Sequence, residues 1–200
     1  MELSARTAVV VALILVVAVV SGGLLALDFE AASYETATSA TASSGGANVD
    51  SLPPITDGVL VVDAPEAVRD DLTAALVESF AERGMSLEPA DAREGNAEGP
   101  VVVVVVDEWD PRWNPVAPSG TVTWRAAFDV GGHARHVDTA LSGGPLVFES
   151  TDGPDLAGSV EASVESAGTG VVSRPAYRAH LVGVVADATA EQVVGQFSQR

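Results

Sequence analysis

The side chains best suited to chemistry gather just after a run of six valines, in Asp107-Glu108-Trp109-Asp110-Pro111-Arg112-Trp113-Asn114-Pro115. Carboxylates that converge at the ends of sheet strands are where hard divalent cations bind and where metal-assisted hydrolysis is built. Asp63 also follows a valine-rich segment. Asp63, Asp107 and Asp110 could therefore share a cation, provided the two segments run parallel. Antiparallel strands would put Asp63 and Asp107 at opposite ends of the sheet and remove the option. The weightier reading makes Asp63 a helix cap and Asp107 to Asp110 solvated surface charge, because no calcium-loop spacing accompanies them.

The three tryptophans, Trp109, Trp113 and Trp124, fall within sixteen residues. Trp124 alternates with Val122 and Phe128 and belongs in the core. Trp109 and Trp113 sit on a Pro-bounded loop, where an aromatic ring suits recognition of carbohydrate or protein. With Asn114 they are the candidate binding residues, and packing of the two rings against the end of the core is the slightly weightier alternative. His133-Ala134-Arg135-His136 has metal-ligand spacing only on a helix. After Gly131-Gly132 it reads as the return strand of a hairpin, Arg135 to Leu141, with the two histidines on opposite faces and His136 beside Asp138. Two ligands do not make a metal site.

Composition excludes more than it assigns. There is no Cys, so there are no disulfides, thiolate metal sites or Cys nucleophiles. All 10 basic residues are Arg, which excludes a phosphate-loop lysine and lysine Schiff-base chemistry. No Ser stands in a G-x-S-x-G elbow, and no cofactor is expected. The formal charge of −18, from 28 acidic residues against 10 basic, argues against nucleic-acid binding. Acidic excess without Lys, with much Ala, Val and Gly, is the composition of an extreme halophile's protein. At about 1 M salt the Debye length shrinks to about 3 Å and the self-repulsion of such a chain is screened.

The elements that must position these residues begin with an uncharged run of 21 residues, Thr7 to Leu27. As a helix it would be about 31 Å long, enough to cross the hydrocarbon core of a bilayer. Arg6 and the α-amino group precede it, and Asp28, Glu30 and Glu35 follow, which favours residues 1–6 in the cytoplasm and the rest outside. A cleaved signal peptide ending near Ser21-Gly22-Gly23 is the rival, but hydrophobicity resumes at Leu24 to Leu27. Residues 28–55, rich in Ser, Thr, Ala, Gly and Pro, read as a flexible tether. Residues 56–200 are long enough for one extracytoplasmic domain.

Within that domain Gly58 to Val62 is a buried-type strand. Asp63-Ala64-Pro65-Glu66 starts a helix, whose inward stripe is Val68, Leu72, Ala75, Leu76 and Phe80 and whose stop is Gly84. Met85 to Glu88, Val101 to Val106, Thr121 to Val130 and Leu146 to Phe148 read as strands, with the valine run covered on both faces. The segment from Leu156 to Val164 fits helix or strand. A terminal helix begins at Ser173-Arg174-Pro175, with a break near Asp187 and a restart at Thr189.

The fold expected is α+β: a mostly antiparallel sheet with a β-α start, helices packed on one face, and one N-terminal transmembrane helix before it. The function expected is a membrane-anchored extracytoplasmic accessory or binding domain of an extreme halophile, without identifiable catalysis. The lipid bilayer is the partner of residues 7–27, an envelope protein the partner of the domain. The alternative is a metal-assisted hydrolase using carboxylates at strand ends.

Overall fold

Valines at 101–105 are all buried, and they alternate between two separate apolar layers on either side of one sheet. The computed structural model describes residues 30–47, 55–90, 99–144 and 155–198. The apolar run 7–27, the polar segment 91–98 and the strand expected at Leu146 to Phe148 lie outside these residues. Among the described residues no helix is long and apolar enough to cross a membrane.

The described residues form a mixed α+β fold of six strands and three helices: β1 (Glu30–Ala47), β2 (Asp57–Asp63), α1 (Glu66–Glu82), β3 (Ser86–Ala90), β4 (Val101–Arg112), β5 (Ser119–Asp129), α2 (Ala134–Ser142), β6 (Asp155–Val172) and α3 (Arg174–Ser198). The sheet order is β1-β6-β5-β4-β2-β3. β3, β2 and β4 are parallel; β4, β5, β6 and β1 pair antiparallel.

One face carries α1 and α3. Val68, Leu72, Leu76 and Phe80 of α1 and Val182, Val185, Ala186 and Val193 of α3 cover Leu60, Val102, Val104, Val122, Trp124 and Phe128. The Trp124 indole donates to Thr189 Oγ1 at 2.8 Å, and that hydroxyl donates to the Val185 carbonyl at 2.7 Å. Thr189 is thus spent inside α3, and the break and restart expected there do not occur. α1 ends as expected, with Gly84 at φ 84°. Its cap differs from expectation: Pro65 holds the N-cap position, and Asp63 is the last residue of β2.

Two further expectations are corrected. Residues 30–47, read as tether, form an 18-residue strand paired with β6 along its length, from Glu30 opposite Val172 to Ala47 opposite Asp155. A Ser/Thr/Ala segment has no apolar face to announce a strand. Here β6 supplies the full hydrogen-bond ladder, and hydroxyls meet across it, Ser39 with Ser163 at 2.8 Å and Ser43 with Ser159 at 3.1 Å. Residues 135–141, read as a return strand, lie in α2, on the sheet face opposite α1 and α3, so the helices do not all pack on one face. The i, i+3 pair Val137 and Ala140 is the deciding signal, because it buries against Val101, Val103, Val105 and Ala127.

Candidate functional site

Arg125 and Asp129 lie on the α2 face of β5, four residues apart, which is about 14 Å along a strand. A nine-residue helix is also about 14 Å long. The match lets β5 hold both ends of α2. At the C-terminal end Arg125 Nη1 donates to the Ala140 carbonyl at 3.1 Å, while Nε and Nη2 both donate to Asp107 at 2.8 Å. Asp107 hydrogen bonding raises the Arg125 pKa. At the N-terminal end Asp129, 3% exposed, accepts from the backbone N–H of Gly131 at 2.8 Å and of His133 at 2.9 Å. Its Oδ2 also meets His133 Nδ1 at 2.9 Å and His136 Nδ1 at 2.6 Å. A carboxylate at the N-terminus and a guanidinium at the C-terminus complement the helix dipole.

This arrangement answers the carboxylate hypothesis. β2 and β4 are parallel, with Asp63 opposite Val105, so the geometric condition for Asp63 and Asp107 is met. Asp107, however, sits at a register shift between Val106 and Glu108 and is gripped bidentately by Arg125. Asp110 pairs with Arg112 at 2.9 Å. Asp63 is exposed. Among the described residues, the group whose ligand atoms converge is Asp129, His133 and His136, not the three aspartates. A helix in place of the expected hairpin turns both histidines toward Asp129. A D-x3-H-x2-H spacing was the available signal, and the Gly-Gly pair obscured it.

Trp109 and Trp113 sit at the other end of the sheet, where β2 and β4 finish and α1 and α3 begin. Asn114 Oδ1 accepts the N–H groups of Val116 and Ala117 at 3.0 and 3.1 Å. That turn lets the 115–118 segment run beside β6, with Gly168, Gly170 and Val172 donating to Pro118, Val116 and Pro115. Trp113 is fixed by its indole N–H on the Val172 carbonyl at 3.2 Å. Both rings are half-buried. Together with Pro111, Tyr177, Arg174 and Arg178 they line a groove of about 560 Å³, whose lining otherwise comes from Ala67, Val68 and Pro175. Arg178 pairs with Asp71 at 3.1 Å, whereas Arg174 is exposed and makes no ion pair among the described residues.

Behind the groove Tyr34 stacks on His180, with ring centroids 3.7 Å apart and planes 12° from parallel. Burial, with the nearby Glu30 carboxylate, pushes the Tyr34 pKa up to about 12. Burial lowers that of His180 and raises that of Tyr177. His180 Nε2 lies 3.2 Å from the hydroxyl of Ser166, which is 4% exposed; this pair is packing, not an accessible nucleophile and base.

No protein-family model matches the chain, and no curated protein matches it in sequence. Among solved structures it is similar to a PelC dodecamer from Paraburkholderia phytofirmans, at 14% identity and a TM-score of 0.37, over 77% of this chain and 98% of that one. It is also similar to lipoprotein GNA1162 from Neisseria meningitidis, at 13% identity and a TM-score of 0.36, over 71% of this chain and 99% of that one. At these scores the likeness carries no functional argument.

Proposed function

We propose that this chain is a membrane-anchored extracytoplasmic binding domain of an extreme halophile, and that it holds an anionic partner in the Trp109–Trp113 groove. Residues 7–27 are the anchor, with residues 1–6 cytoplasmic. The observation that supports this reading is one of charge: in a chain of formal charge −18, the charged side chains lining the groove are Arg174 and Arg178. Arginine beside half-buried tryptophan is the composition of interface hot spots. The groove has walls for an apolar surface and donors for carboxylates.

Its place in the fold narrows the partner. β1 starts at Glu30, three residues beyond Leu27, and Glu30 is opposite Val172, whose carbonyl holds Trp113. Three residues reach at most about 11 Å. With 7–27 in the bilayer, the groove end of the domain stands next to the membrane surface. The fitting occupant is an acidic envelope protein held in the same membrane. The hydrolase alternative is weakened by the arginines that already occupy Asp107 and Asp110.

The test is crosslinking mass spectrometry on full-length protein in membranes at multimolar salt, comparing wild type with Trp113→Ala. Crosslinks from the groove to one envelope protein, lost in the variant, support the reading. An unchanged crosslink pattern in the variant rejects it.

A further inference from the structure

We infer that Asp129, His133 and His136 form a binding site for one divalent transition-metal ion of the zinc type. Two of the chain's three histidines converge on one buried carboxylate, with one ligand atom from each residue within 4.8 Å of the other two. Among the described residues the other carboxylates are mostly exposed, as the charge of the chain demands. Asp129, at 3% exposure, is the exception that needs a cause.

Hydrogen bonding alone accounts for it poorly. A carboxylate oxygen offers about two lone-pair directions. Asp129 Oδ1 receives one N–H, from Gly131, while Oδ2 is approached by three: the His133 backbone N–H at 2.9 Å, His133 Nδ1 at 2.9 Å and His136 Nδ1 at 2.6 Å. Two imidazole nitrogens crowd one oxygen that has already been given a backbone donor. A cation held by both Nδ1 atoms and Oδ2 removes that conflict. An imidazole that binds a metal through Nδ1 carries its proton on Nε2.

The dimensions suit the exchange. Ligands about 2.0–2.1 Å from a tetrahedral ion stand about 3.3 Å apart. The present Nδ1 to Oδ2 separations of 2.9 and 2.6 Å need to open by well under an ångström, and the three ligand atoms already lie within 4.8 Å of one another. Two imidazoles and a carboxylate select zinc-type ions over magnesium or calcium, which want oxygen ligands. Three protein ligands leave one position for water or another ligand. The ligand set has a charge of −1, so a divalent ion is well compensated. The ion would tie the end of β5 to the start of α2, at the opposite end of the sheet from the tryptophan groove, so the inference does not depend on the proposed partner.

The experiment uses the full chain in detergent at multimolar KCl, stripped with chelator, dialysed against Zn²⁺ and counted for bound metal. The variants are His133→Ala, whose ring is one-third exposed, and the surface control Asp138→Ala. One tightly held Zn²⁺ per wild-type chain is expected, lost in His133→Ala, kept in Asp138→Ala, and not displaced by excess Mg²⁺. Equal Zn²⁺ on wild type and His133→Ala, or displacement by Mg²⁺, overturns the site. Co²⁺ loading of wild type gives a reading that no variant's folding can confuse. Visible absorption of imidazole-ligated, four-coordinate Co²⁺ is expected, and the spectrum of hexa-aqua Co²⁺ refutes the inference.

Discussion

Replacing Asp129 by Asn keeps the shape of the side chain and removes its charge and one acceptor. If the amide oxygen takes the Oδ2 position, the amide NH2 faces the Gly131 N–H, which now sits 2.8 Å from another donor. If the amide is flipped, the NH2 faces three N–H groups instead, which is worse. The better orientation orphans one buried backbone donor, at about 1–3 kcal/mol. It also downgrades three charge-assisted bonds to neutral ones of about half the strength. Bonds to a charged acceptor are worth about 1.5–3 kcal/mol each, so the sum is about 3–7 kcal/mol. Asp107→Asn is the matched control, because Asp107 is 41% exposed on its side chain and its pair with Arg125 is worth about 1 kcal/mol or less. Urea denaturation at fixed multimolar KCl with chelator, read as a midpoint change at constant m, separates the two. If Asp129→Asn costs no more than Asp107→Asn, the claim that Asp129 holds the start of α2 is wrong.

Three other outcomes follow from the same geometry. Gly143 ends α2 at φ 74°, and a Cβ there would lie 3.0 Å from Arg125 Nη1, so Gly143→Ala should cost about 1–2 kcal/mol in the same denaturation assay. Thr189→Val leaves the buried Trp124 N–H without its acceptor and should cost about 1–3 kcal/mol, and a double-mutant cycle with Trp124→Phe should show strong coupling. Burial holds the His180 pKa below its ordinary 6.5, so the unfolded imidazole takes up a proton first as pH falls. This contribution is intact above about pH 6.5 and is lost as pH falls toward the folded-state value. His180→Phe keeps a ring against Tyr34 and should flatten that loss in thermal melts between pH 7 and 5, limits set by the imidazole range of about 5–8.

What the sequence disclosed depended on whether an element carried its own signal. α1 was legible because Val68, Leu72, Leu76 and Phe80 mark one face and Gly84 stops it. The valine run announced a strand covered on both faces, and Trp124 announced its burial by alternating with Val122 and Phe128. β1 was illegible because its Ser, Thr and Ala residues gain order only from the ladder with β6, a contact more than a hundred residues away in the chain. α2 was masked by Gly131-Gly132, which signals a hairpin and a strand-to-helix turn equally well. That error hid the Asp129–His133–His136 cluster, since only a helix brings its histidines to one side. At the other end, Trp109 and Trp113 were singled out on residue type and loop context. What the sequence could not supply was Arg174 and Arg178, which come from a helix some sixty residues downstream and give the groove its charge.

The most direct test of the groove's role is site-specific photocrosslinking on full-length protein in native membranes at multimolar salt. A photoreactive residue replaces Ala67 at the rim of the groove in one variant and Glu78 on the exposed side of α1 in another. The account predicts one discrete adduct with an acidic membrane protein from position 67, none from position 78, and loss of the adduct when Trp113→Ala is added. The same adducts from both positions, or an adduct from 67 that survives Trp113→Ala, would contradict it.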